Sequence, residues 1–512
     1  MWQSKKNRAG AMRDRQIISN LIKKGRKEEA WKKIKSHLFY SPADTWYLTE
    51  AARLSRQEGL YQKAYRYYQR ILAVAPADVA TLNGLGIAYY EDGRFEQAEA
   101  CYRQALEHHP GYAACHNNYA VLLHKQYRYT EALTRYRMAL EARPDYPEAR
   151  YGMSTVLAHT GQLSEAETLL QHQLQIMPDD YRCRNTLGMI QLQQGNFEQG
   201  WRHYRARYHP KNPQRFYTLS SYPQPYWQGE NLHGKTLLVK SEQGFGDEIQ
   251  FCRFLSHLKK EKNAGRVIMT GRRALAALVS ELPGLDEYIC REERKPLPDF
   301  DCWTMLLDLP GTLRIGQDSF GSDVPYLFSS PEHQSKWPVN RASLTVGLVW
   351  KGAPGHMNDR NRSLSHLSDL ASLLKLPGIS WVSLQKGAGE DEVTAWPDIQ
   401  APAPRFEDYQ DTAAVIAQLD LVISVDTSVV HLAGAMGKPC WVLLPSFSRD
   451  WRWLQGQTVS PWYPQMRLFP RGQDESWEAV IKRVTEALQC VMATGSLYGA
   501  VTKNGEVLAV MT

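Results

Sequence analysis

Pro42, Pro76, Pro110, Pro144 and Pro178 stand 34 residues apart, and after Pro178 the ladder stops. Gly25, Gly59, Gly93, Gly161 and Gly195 keep the same period, which only Tyr127 interrupts. Ala30, Ala64, Ala98, Ala132 and Ala166 keep it too, with Gly200 closing the series. Three residue types held in one register mean that the first two-fifths of the chain is a repeated unit rather than one globular core.

Each period reads as two antiparallel helices. Between Asp78 and Gly111, Leu82, Leu85, Gly86 and Tyr89 recur at helical spacing and make one apolar stripe. Asp92-Gly93 breaks that helix, because glycine accepts the left-handed backbone of a tight turn. Phe95, Ala98, Tyr102, Ala105 and Leu106 line the second helix, and Pro110 ends the unit. Period and pattern resemble the tetratricopeptide repeat. About five units run from residue 10 to 179, with a partial one near 180–208. No unit buries its apolar face alone, so stacking into a right-handed superhelix with a concave groove is expected. Such arrays bind a peptide or protein partner, or serve as spacers.

A 512-residue chain exceeds one core, and about three compact units are expected. The net charge of +7 is concentrated at one end. Residues 1–35 hold twelve Lys/Arg against three Asp/Glu, which leaves the rest of the chain near −2. That stretch reads as a solvated first helix, or as a patch for an acidic partner, nucleic acid or membrane surface. Nucleic-acid binding is the weakest of these, since the aromatics sit at repeat positions where core packing explains them. No apolar run is long enough to span a bilayer, and no secretion signal opens the chain. Eight scattered cysteines without a Cys-x-x-Cys pair suit reduced thiols and argue against a zinc site. A cytoplasmic protein is expected.

Periodicity fails near Trp201. From His209 to Gly234, Pro210, Pro213, Pro223 and Pro225 alternate with aromatics, which reads as an ordered connector. Short apolar runs then alternate with amphipathic helices. Strands are expected at 236–240, 266–270, 302–307, 345–350, 381–385, 421–425 and 440–444, in two groups separated by the polar run 329–341. Alternation of this kind implies parallel sheets covered on both faces, with ligands at the carboxyl ends of the strands.

Three strand-end loops carry candidate chemistry. The first, Ser241-Glu242-Gln243-Gly244-Phe245-Gly246-Asp247-Glu248, puts Asp247 at a helix start after two glycines that permit close backbone approach. Asp247 reads either as a helix cap or as a functional carboxylate. The second runs from Lys351 to Ser363, and its Gly352, Lys351, Arg360 and Arg362 read either as a diphosphate clamp or as an exposed polar loop. The third, Asp426-Thr427-Ser428-Val429-Val430-His431, follows a buried strand and presents two hydroxyls beside the free amides of a helix start, an anion site. Gln385, at a strand end, is placed to meet a nucleotide base. Asp299-Phe300-Asp301 mimics an Asp-x-Asp metal motif but precedes a buried strand, and is read as coincidence.

Gly246-Asp247 at the first strand-to-helix turn, with the Asp426-Thr427-x-x-x-His431-Leu432-Ala433 run, resembles the bacterial heptosyltransferases, family-nine glycosyltransferases of the GT-B fold. The likeness spans roughly residues 230–490, and the whole chain resembles bacterial proteins that join tetratricopeptide repeats to such a domain. It implies a helical superhelix (1–208), a proline-rich linker (209–234), an acceptor-side α/β domain (235–340), a donor-side α/β domain (341–490) and a tail (491–512). It also implies an inverting, metal-independent transferase that takes a nucleotide-sugar donor and a protein or glycan acceptor, with no cofactor. The base would be Asp247, with Glu248 beside it as the alternative. Donor contacts would fall on Thr427, Ser428 and His431, more loosely on Lys351, with Ser363 and Asp426 at the edges of the same loops. The competing reading is a non-catalytic scaffold with a degenerate transferase-like domain.

Overall fold

The computed structural model describes residues 2–215, 219 and 222–497, with the backbone alone at 2–11. The chain divides into two compact units, 1–157 and 158–512. That division falls inside the repeats rather than after them.

Helices alternate through the repeats: α1 Trp2–Lys23, α2 Lys27–Tyr40, α3 Thr45–Gln57, α4 Tyr61–Val74, α5 Val79–Glu91 and α6 Phe95–His108. Then come α7 Ala113–Lys125, α8 Tyr129–Ala142, α9 Pro147–His159, α10 Leu163–Ile176, α11 Tyr181–Gln193 and α12 Phe197–Tyr204. The 34-residue ladder explains both ends of these elements. Asp44, Asp78 and Asp180 stand one or more periods apart, and each carboxylate accepts an amide of the first turn it precedes. The ladder glycines occupy left-handed backbone, with φ between +73° and +82°. Tyr127 breaks the sequence rule and keeps the geometry, at φ +64°. The ladder alanines are fully buried where paired helices cross. At Gly200 even a methyl group is excluded, since a Cβ there would lie 2.8 Å from the Leu192 side chain.

The second unit contains two parallel sheets. The first is made of β1 Thr236–Lys240, β2 Arg266–Gly271, β3 Glu287–Cys290 and β4 Cys302–Met305, in the order β3-β2-β1-β4. The second is made of β5 Leu344–Val349, β6 Ile379–Ser383, β7 Leu421–Val425, β8 Cys440–Leu444 and β9 Met466–Pro470, in the order β6-β5-β7-β8-β9. The polar run 329–341 lies between the two sets of strands. Each sheet reverses its strand order once, between β1 and β4 and between β5 and β7, and crevices open at such points in parallel sheets. One continuous apolar cluster includes Leu237 and Met269 from the first sheet and Val422 and Val442 from the second.

The connector is ordered where it is described. Trp303 of β4 exchanges backbone hydrogen bonds with Pro225 and Trp227, and Trp227 is buried. Helix α12 belongs to the same core. Trp201 lies edge-on to Phe251 and Trp451, and Phe197 edge-on to Phe320 and Trp462. The last helix runs from Trp477 to Thr494 and ends at Gly495 with φ +70°. The hairpin expected after it lies outside the described residues. No helix among the described residues is long and apolar enough to cross a membrane.

Candidate functional site

The strand-end loops singled out in the sequence are those flanking the two reversal points. Loop 241–247 leaves β1, loop 351–363 leaves β5, and 426–428 leaves β7. Two of them meet. Gly246 lies so close to the helix Ser428–Ala435 that a Cβ would come within 2.7 Å of the His431 ring and 3.5 Å of Ser428 Cα.

Gly244 is extended and caps helix α13, Phe245–Phe251. Its N–H donates to Asp247 Oδ2 at 2.6 Å, so Asp247 does serve as a cap. Its other oxygen accepts from the Arg452 guanidinium. Burial pushes the Asp247 carboxyl up, against the pull of Arg452. Glu248, one residue on, turns away. It is buried beneath β2 and β3, where it accepts from the Arg272 amide at 3.3 Å and the Tyr288 hydroxyl at 2.5 Å. Of the two carboxylates, Asp247 is the one that faces the second sheet's loops.

Arg452 is not legible in the sequence as a site residue, and it organises this place. It is buried, with Nε donating to Gln250 Oε1 at 2.5 Å and Nη1 to Asp450 Oδ1 at 2.9 Å. Its guanidinium lies 4.4 Å from the Trp451 ring centre. Burial would raise the Asp450 carboxyl, but Arg452 holds it below its ordinary value. The signal that could have found it is Asp450-Trp451-Arg452-Trp453 in the loop after β8, a charged pair set among tryptophans at another strand end.

Around the 428–435 helix, Thr427 occupies the cap position without capping, its hydroxyl lying 3.3 Å from that of Ser424. The Ser428 hydroxyl is 2.6 Å from that of Tyr409. Asp426 is raised to about 6, by burial and by Asp450, against the opposing Arg362. His431 is buried, 3.2 Å from the Tyr463 hydroxyl through Nδ1, and stacks on Trp453. Burial, reinforced by Arg452, lowers it to about 3, so the ring is neutral at physiological pH. An anion at this helix start would meet amides, hydroxyls and a neutral imidazole rather than an imidazolium.

The clamp loop is divided. Arg362 reaches the site and donates to the Asp426 carbonyl at 2.9 Å. A Cβ at Gly352 would come within 2.5 Å of the Arg362 guanidinium, so a side chain there would shift it. Ser363 Oγ accepts from the Gly352 amide and donates to Asp359, both at 2.8 Å. Lys351 pairs with Glu392. Arg360 is exposed on the short helix Asp359–Arg362. Gln385 corrects the sequence reading. It is buried, its oxygen accepting from the Trp350 and Lys351 amides at 3.0 Å, its nitrogen donating to the Lys351 and Ala388 carbonyls. It braces the loop and has no group left for a base. Among the described residues no three of His, Cys, Asp and Glu converge to hold a metal ion.

Residues 43–108, 84–147 and 123–180 match tetratricopeptide-repeat models, and the N-terminal region is built from such repeats. Protein FlbA of Caulobacter vibrioides (strain ATCC 19089 / CIP 103742 / CB 15) is 29% identical over 339 residues, 59% of this chain and 54% of FlbA. The chain thus spans about half the length of that relative. The match is longer than the 208-residue array, so it extends into the α/β region. Among solved structures, PilW, titled a widely conserved type IV pilus biogenesis factor, shares 16% identity over 40% of this chain and 94% of its own (TM-score 0.36). YrrB, titled a TPR protein with an unusual peptide-binding site, shares 18% over 34% of this chain and 89% of its own (TM-score 0.29).

Proposed function

We propose that residues 235–490 form a GT-B-like pair of Rossmann-type domains that transfers a sugar, with inversion, from a nucleotide-activated donor. The acceptor would be a protein or glycan that the repeat array recruits. The reading is carried by one observation: an uncapped helix start after β7 lies against the glycine-rich turn after β1 that holds Asp247. An uncapped helix start favours the charge of a donor diphosphate. Thr427 and Ser428 add hydroxyls, and Arg362 stands beside Asp426 to offset the charge that gathers on the leaving group. Asp247 would take the proton of the attacking acceptor hydroxyl. Arg452 and the Gly244 amide hold that carboxylate in place. Each of its oxygens keeps a second lone pair that can accept the acceptor hydroxyl's proton.

The test is a thermal-shift titration with UDP, GDP, ADP and CMP, followed by donor turnover. One nucleotide is expected to raise the melting temperature, by mass action on the folded state. Asp247→Asn should retain that shift and lose transfer by a factor of about 10² or more. A chain that responds to none of the four is the non-catalytic scaffold instead.

A further inference from the structure

A second place in the molecule has the makings of a ligand site. Between the last repeat pair and the edge of the first sheet lies a cavity of about 400 Å³. That is within the range of small-molecule sites, about 300–1,000 Å³. Tyr181 and Arg184 enter it from α11, Arg202 from α12 and Arg205 from the turn after α12, with Tyr226 and Asp308 on the sheet side. His209 stacks on Tyr181 with ring centres 3.2 Å apart.

The charges there do not cancel. Asp308 is taken up by Arg207, which donates to it at 2.6 Å and also reaches Glu242 at 3.0 Å. Tyr226 donates to the other Asp308 oxygen at 2.6 Å, and Arg205 lies 3.4 Å from it. Arg184 donates to the neutral carbonyl of Pro178 at 2.6 Å. Arg202 makes no ion pair or hydrogen bond among the described residues. Three guanidiniums, those of Arg184, Arg202 and Arg205, therefore line the pocket with one carboxylate, Asp308, which Arg207 and Tyr226 already engage. Nearby, burial lowers His203, and Arg184 and Arg202 lower it further against the opposing Glu167.

We infer that this pocket binds a sugar-sized ring carrying a carboxylate or phosphate. Guanidinium forks match the geometry of both oxyanions. The aromatic walls and the volume suit a ring rather than a bare ion. The inference does not depend on sugar transfer, and its test uses no nucleotide.

Isothermal titration of the full chain with glucuronate and with glucose 6-phosphate, against glucose and inorganic phosphate, tests it. At least one acidic sugar should bind about tenfold more tightly than both comparators. Arg202→Ala should weaken it about tenfold, with Arg202→Lys recovering part of the loss. Arg202 is exposed on its helix, so this variant should melt as the parent chain does. Arg184→Ala provides a second reading from another helix. Phosphate or glucose binding as tightly as the acidic sugars would overturn the proposal, as would binding indifferent to Arg202 or no binding of either acidic sugar.

Discussion

At Tyr127 the repeat shows which of its rules are physical. The glycines at Gly59 and Gly93 have no atom within 4 Å of a would-be Cβ, so space does not select them there. Backbone does: φ is +73° and +76°. A side chain in that region costs about 1–2 kcal/mol. Tyr127 adopts φ +64° all the same, held between helices that the rest of the ladder has placed. Its ring lies edge-on to Tyr129 at 6.2 Å, and the residue is more than a third exposed. Tyr127→Gly should therefore stabilise the first unit by about 1 kcal/mol, less the greater freedom glycine gains when unfolded. Chemical denaturation of both chains measures it, and a lower midpoint for the glycine variant would show that the tyrosine packing outweighs the strain.

Two elements make the candidate site, α13 and the 428–435 helix, and their approach depends on one missing side chain. Gly246→Ala would put a methyl group 2.7 Å from a buried histidine ring that is backed by Trp453. Overpacking of this kind costs about 1–3 kcal/mol. The larger expected effect is on function, because the helix start and the Asp247 turn would be forced apart. Gly246→Ala should fold, melt lower and lose the nucleotide-induced shift, whereas Gly355→Ala, in open space on the neighbouring loop, should retain it. Equal shifts in both variants would separate the helix contact from ligand binding. The elements also mark how far the sequence can be read. Periodicity exposes the helices and the more buried strands, but it misses β3, because each of its four residues is only half-buried and the apolar signal is weak. It misses β9 behind its closing Pro470. It makes β4 two residues too long, since Leu306–Asp308 turns inward to bring Asp308 under Arg207. It sets β6 two residues late, because buried Leu384 carries the apolar pattern past the strand's end and Gln385 beyond it braces the loop after β5. Asp247 and the 426–431 turn stand out because glycine and hydroxyl patterns are local. Arg452 does not, because two of its partners, Asp247 and Gln250, lie about 200 positions away in the chain.

For the molecule as a whole, the repeat ladder ends where the repeats cease to be separable from the first sheet and its loops. A boundary at residue 208 looks natural in the sequence, but the packing runs across it. In the structure, Trp201 is wedged against Gly311, where a Cβ would come within 2.7 Å of it. Just beyond, Arg207 is buried between Glu242, on the loop that leads to Asp247, and Asp308. Gln243 of the same loop sits at φ +58° and donates to Tyr204 at 2.9 Å. The turn carrying the candidate base is thus shaped from the repeat side. Removing Arg205 and Arg207 together leaves two buried carboxylates without their cations, and breaking such a network costs about 3–5 kcal/mol, a large part of the stability of an ordinary domain. A chain beginning at residue 209 should consequently expose apolar surface, bind a hydrophobic dye and melt without cooperativity. A chain beginning at Pro144, with the last two helix pairs retained, should melt in one transition and respond to the same nucleotide as the full protein. Circular dichroism and calorimetry on the two truncations decide the matter. A cooperative, nucleotide-responsive 209–512 chain would make the array a detachable arm, and would leave Arg207 and Trp201 with no part in holding the Asp247 turn.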